Sequence, residues 1–138
     1  MVELLIGKKG TGKTKSLVDG VNKVSGEAKG NVVFISNDTS RNMYDIKYAV
    51  RMVNAAEFKM KSYAEFSGFI EGIISGNFDI TNIFIDGIFK IVGTSELDGM
   101  EEFLERLDNV SKNFNVDFVV SVSVDENAAP EYIKKYVK

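Results

Sequence analysis

Eight consecutive residues, Gly7-Lys8-Lys9-Gly10-Thr11-Gly12-Lys13-Thr14, have the types and spacing to hold a phosphate chain. They fit the pattern G-x-x-x-x-G-K-[S/T] at every fixed position. Gly7 lets the backbone turn sharply off a preceding strand. Gly10 and Gly12 have no side chain to obstruct an anion, and they reach positive φ readily. The loop's N–H groups can then converge as an anion nest. A helix opening near Lys13 adds the positive end of its dipole. Lys13 is the candidate catalytic cation, a point charge for the β- and γ-phosphates. Thr14 offers a hydroxyl to Mg²⁺, which binds few protein oxygens and keeps much of its water. Lys8, Lys9, Thr11 and the adjoining Lys15 complete the candidate nucleotide-binding segment. The plainer alternative is a glycine-rich turn with solvated lysines. The strand expected before the loop and the helix expected after it argue against that.

A second element is Asn82-Ile83-Phe84-Ile85-Asp86, an apolar strand ending in a carboxylate. Such a carboxylate can hold the cation's water shell, so Asp86 joins Thr14 as a candidate metal residue and Lys13 as a candidate catalytic one. Many buried strands end in Asp at a turn, so the loop at residues 7–14 gives Asp86 its meaning. Asp38 is its rival, also at the C-terminal end of an expected strand, the edge where open α/β sheets bind ligands.

These residues need elements to position them. Val2–Ile6 is a short apolar run ended by Gly7, as in a buried parallel strand. Residues 13–24 place Leu17, Val18, Val21 and Val24 on one helical stripe, although Gly20 weakens that helix by about 1 kcal/mol relative to Ala. Val32–Ile35 is a second buried strand, rich in β-branched residues. Residues 48–53 read as a short edge strand beside it or as a helix, the strand being favoured. Ser62 and Glu65 have capping-box spacing. They open a helix with Tyr63, Phe66, Phe69, Ile70, Ile73 and Ile74 on its apolar face, ended by Gly76-Asn77. Residues 83–85 form the next strand. A helix beyond Ser95 carries Met100, Phe103, Leu104, Leu107, Val110 and Phe114, with acidic residues suited to its N-terminal dipole. Residues 118–124 form the last strand, and Pro130 opens a short final helix.

Strands alternate with helices. The expected fold is therefore α/β, a three-layer sandwich with a mostly parallel sheet of four to five strands and helices on both faces. The 138 residues read as one domain, without a repeat or linker. Hydrophobic residues make up 44% and charged residues 27%, which permits a packed core and excludes disorder. With no cysteine and no histidine, disulfides, thiolate metal sites and imidazole catalysis are excluded. A net charge of −3 gives no clear nucleic-acid signal. No stretch reaches membrane-spanning length. The opening run lacks a signal-peptide pattern, so a cytoplasmic location is expected.

With both motifs in hand, the chain resembles the P-loop NTPase superfamily. Gly7–Thr14 corresponds to a Walker A element and Ile83–Asp86 to a Walker B element. A strand lies between the motifs and another follows, which is similar to the RecA-like branch. There the last strand inserts between the two motif strands. That resemblance implies ATP and Mg²⁺ as ligands. It also implies that Ser121 or Ser123 could sense the γ-phosphate, if these serines are not simply on the exposed face of a strand. The chain departs from the pattern at Gly87, where a catalytic glutamate commonly follows the aspartate. Arg41, Arg51 and Arg106 are the only arginines available to act on a neighbouring subunit. The chain looks loosely like small ATP-binding proteins grouped with secretion or twitching-motility ATPases, and it shares its motif layout with compact thymidine kinases.

Three functions follow as expectations. The first is a Mg-ATP-binding protein, an ATPase with slow or partner-dependent hydrolysis. The second is a small-molecule, nucleoside-type kinase, its acceptor pocket lined by Phe34, Asp38, Tyr44 or Tyr48. The third is a non-hydrolysing module gated by nucleotide, with a protein partner or a second copy as its target. No guanine-specifying motif is evident, and adenine is the default base.

Overall fold

The structure is a computed structural model that describes residues 1–138. Five strands, β1 (Val2–Ile6), β2 (Asn31–Ser36), β3 (Arg51–Asn54), β4 (Ile80–Asp86) and β5 (Asp117–Val122), form one sheet. Their order is β1-β5-β4-β2-β3, and every pairing is parallel. The last strand therefore inserts between the two motif strands, as the RecA-like pattern implies. Register aligns Leu4 and Ile85 with Val120 from either side, and Ser36 with Asp86.

Side-chain alternation divides the core in two. Val33, Ile35, Ile83, Ile85, Phe118 and Val120 face the larger cluster. It is closed by α2 (Tyr63–Ser75), α3 (Ile88–Val92) and α4 (Met100–Phe114). Val32, Phe34 and Phe84 face the other way, under α1 (Lys13–Glu27), where Leu17, Val18 and Val21 cover them. The helix stripes and strand alternation thus produce the expected three layers. Gly20 lies where α1 packs tightly on the sheet. A Cβ there would lie 3.3 Å from the Phe84 ring, so the residue that weakens the helix also lets it pack.

Several boundaries differ from the sequence expectation. The edge strand covers only Arg51–Asn54, and Tyr48 lies in the turn before it. It pairs with β2, as the strand alternative required. β5 stops at Val122, which leaves Ser123 outside the ladder. Helix α3 is a further element, too short at five residues to show a helical period. α5 spans Glu131–Lys134, after which Val137 forms a parallel bridge to Leu4 on the outer side of β1. At Ser62 the cap forms, its hydroxyl accepting the Glu65 N–H at 3.1 Å. The Glu65 carboxylate reaches one residue further out than a capping box requires, accepting the Lys61 N–H at 2.7 Å.

Tyr63 ties α2 to the loop before α4. It is buried, and its hydroxyl donates to the Glu96 carbonyl at 2.6 Å. Burial, with smaller contributions from Tyr132 and Glu96, pushes its pKa up from 10.0 to about 12. The native state keeps a proton that the unfolded chain releases near 10. This stabilisation is complete below that pH and is lost as pH rises toward 12. Urea midpoints should fall between pH 9.5 and about 11.5 in the native chain, and fall less steeply in Tyr63→Phe.

Candidate functional site

The C-terminal ends of β1, β5, β4 and β2 share one rim of the sheet, because all strands run in parallel. Residues 7–12 leave β1 at this rim and enter α1 at Lys13. Gly10 and Gly12 have φ of 85° and 87°, the left-handed region, so side chains there would strain the loop. Thr11 Oγ1 donates to the Lys8 carbonyl at 2.7 Å. Lys13 Nζ donates to the carbonyls of Gly7 and Lys8, each at 2.9 Å, and so straps the loop from inside. Burial lowers the Lys13 pKa from its ordinary 10.5, and the Asp86 charge works against that shift.

Thr14 and Asp86 are 72 residues apart in sequence and meet at the rim. The Thr14 hydroxyl lies 3.2 Å from each Asp86 carboxylate oxygen. Asp86 Oδ1 also accepts the Ser121 hydroxyl at 3.0 Å. Asp38 is occupied elsewhere. It caps the turn at Thr39–Arg41, accepting Ser40 Oγ at 2.6 Å and Ser40 N–H at 3.1 Å. The Ser40 hydroxyl holds its carboxyl below the usual range; desolvation, the next largest effect, opposes it, and the Ser40 N–H and the Arg41 charge add to the lowering. Of the two rival carboxylates, Asp86 therefore adjoins Thr14.

A cleft of about 1130 Å³ opens over these groups. Lys9 and Lys13 border it from the loop, Asp38 and Arg41 from beyond β2, and Asp86 and Lys90 from β4 and α3. Asp38 and Asp86 are its only carboxylates. A smaller depression of about 440 Å³ lies on the other side of the loop, against Leu5, Gly7, Lys8, Asp125 and Val137. Lys8 spans it to reach Asp125 at 3.5 Å. Lys15 lines neither and pairs with Asp19 at 3.1 Å along α1.

The residue after Asp86 has a backbone reason to be glycine. Gly87 has φ of 74° as the chain turns into α3. A glutamate there would be strained.

The residues named for a nucleoside-acceptor pocket do not converge. Phe34 is fully buried under α1, whereas Tyr44 and Tyr48 are 92% and 103% exposed on the loop before β3. Only Asp38 borders the cleft. Of the arginines, Arg41 alone lines it, and Arg106 is paired with Glu71 at 2.5 Å. Lys90, Ser95 and Ser36 also border the cleft and were missed, because no local pattern distinguishes them from ordinary surface residues.

A glycine loop between β1 and α1, with a carboxylate-tipped strand reached across an inserted β5, defines the P-loop NTPase fold in its RecA-like arrangement. Among solved structures, a KaiC-like protein from the hyperthermophilic archaeon Pyrococcus horikoshii OT3 shares this fold with a TM-score of 0.69. The two sequences are 18% identical, and the match covers 98% of this chain and 68% of that one. No protein-family model matches the sequence, and no curated protein does. No helix is long and apolar enough to cross a membrane.

The donor set suits Mg²⁺. Nowhere does the chain gather three or more His, Cys, Asp or Glu side chains around one point. Mg²⁺ usually binds one or two protein oxygens together with substrate phosphates, and Thr14 beside Asp86 offers that pair.

Proposed function

We propose that this domain binds a nucleoside triphosphate, ATP by default, together with Mg²⁺ on Gly7–Thr14, and that it hydrolyses ATP slowly or only with a partner. The observation that carries this is the contact of Thr14 with both Asp86 oxygens, next to a lysine-strapped glycine loop. In this reading Lys13 exchanges its two loop carbonyls for phosphate oxygens and stabilises the charge of the transferring phosphoryl group. Thr14 and Asp86 hold Mg²⁺, which when bound neutralises the phosphate oxygens. The backbone of residues 8–13 receives the remaining phosphate charge, with Lys8 and Lys9 beside it. Lys15 adds only long-range attraction, since it is turned toward Asp19. The depression against Leu5 and Asp125 gives the nucleoside room on the side of the loop away from Asp86.

Weak turnover follows from Gly87. With no carboxylate at that position, only Asp38 remains in the cleft to orient water, and its bonds to Ser40 keep it ionised and a weak base. The same observation favours a second reading, a nucleotide-gated module without useful turnover that signals to a protein partner or a second copy. Nucleotide-dependent change in mass by light scattering, without phosphate release, would support that reading over the first. A cytoplasmic setting, and the likeness to secretion or twitching-motility ATPases, belong to this proposal.

The test is isothermal titration with ATP, ADP, GTP and GDP, with and without Mg²⁺. Micromolar or tighter affinity for ATP is expected, strengthened by Mg²⁺. No heat from any of the four would overturn the proposal. Two further results are expected from the same assay. Asp86→Asn should remove most of the gain from Mg²⁺, about 10-fold or more in affinity, because the carboxylate is the only charged metal candidate beside Thr14. Affinity should also decline at alkaline pH, beginning below 10.5, because burial makes Lys13 release its proton early.

A further inference from the structure

Ser121 stands out as a buried hydroxyl near the middle of the sheet. It is 1% exposed, on a strand whose other buried residues, Phe118, Val120 and Val122, are all apolar and face the larger cluster. A buried hydroxyl is costly unless it is bonded, and alanine or valine would serve packing alone. Both capacities of this hydroxyl are used. It accepts the Gly87 N–H at 2.7 Å and donates to Asp86 Oδ1 at 3.0 Å. The ladder between β5 and β4 ends at the pair Val120–Ile85. Ser121 is therefore the first residue beyond it, and its side chain continues the connection that the backbone no longer makes.

We propose that Ser121 is the positioning residue for Asp86, fixing the carboxylate toward Thr14 so that the two form a ready metal site. The proposal rests on the nucleotide reading above and deepens it. A carboxylate turns easily about its last torsion, which is broad and roughly two-fold. Held at Oδ1 by Ser121 and met at both oxygens by Thr14, Asp86 keeps one orientation. The same hydroxyl holds the Gly87 N–H, so the left-handed turn into α3 and the carboxylate before it are anchored at one atom. A direct role at the γ-phosphate fits less well, because the single proton of Ser121 is already given to Asp86. Ser123, exposed at the cleft, has no such commitment.

The experiment uses the full chain as wild type, Ser121→Ala and Ser121→Cys, titrated with ADP and with ATP in Mg²⁺ and in EDTA. Cysteine keeps nearly the same volume but is a poor donor, so it separates hydrogen bonding from packing. Both variants should bind Mg-ADP about 10–100-fold more weakly, as expected when the partner of a metal ligand is lost, while affinity in EDTA stays within about two-fold. Four results would overturn the proposal: Mg-ADP affinity unchanged in Ser121→Ala; an equal loss in Mg²⁺ and in EDTA; a cysteine variant matching wild type; or a loss confined to ATP in EDTA, which marks a γ-phosphate contact. Wild type binding no nucleotide in either buffer would overturn the nucleotide reading itself, and this proposal with it.

Discussion

Lys13→Ala is expected to remove measurable Mg-nucleotide binding while the fold stands. Truncating one member of a close charge pair costs about 2–5 kcal/mol, or about 30-fold to several thousand-fold in affinity. Lys13 is at the upper end of that range, because it is the one cation already inside the loop. The apo protein should change little. The two bonds to the Gly7 and Lys8 carbonyls contribute about 0.5–1.5 kcal/mol each at most. Removing the lysine also relieves the desolvation that lowers its pKa. A ligand at 100 times its Kd raises stability by about 2.7 kcal/mol, so wild type should show a clear thermal shift with Mg-ATP. Lys13→Ala should show none, at a similar apo melting temperature. A variant that retains the shift would remove Lys13 from the site.

Phe34→Ala is expected to cost about 3–5 kcal/mol of stability, the usual range for emptying a large aromatic position in a core. Phe34 is fully buried in the smaller cluster, beneath α1 and beside Leu17, Val21, Ile46 and Phe84. Domains of this size are stable by about 5–15 kcal/mol, so the loss is a large share of the total. Urea denaturation reads it directly. Tyr44→Ala and Tyr48→Ala should each stay within about 0.5 kcal/mol, since both side chains lie in solvent. Had the three aromatics formed an acceptor pocket, all would alter ligand selectivity together. A Phe34 variant of native stability with altered selectivity would contradict the packing described above.

The fold was largely legible because its signals are short-range. Strand alternation and the helix stripe of Leu17, Val18 and Val21 assigned residues to one face or another without knowledge of their partners. The element that escaped, the five residues of α3, was too short to show a period, and the four residues of β3 were read as an edge strand only over wider bounds with a helix left open. Phe34 shows the same limit for the site. At the end of an apolar run an aromatic residue is compatible with a pocket or a core, and only the placement of α1 over β2 decides between them.

From its sequence alone, this protein had a phosphate-type loop at residues 7–14, a layered α/β order and a short set of candidate carboxylates. These follow from backbone freedom at glycine, local charge and residue periodicity, all of which act within a few positions. The sequence already preferred Asp86 to Asp38, but only the tertiary structure brought Asp86 against Thr14, turned Ser121 inward onto that carboxylate and put Gly87 at a positive φ that favours glycine. Those contacts join residues 72 and 35 apart, and strand order, to which local sequence is blind, sets which of them meet.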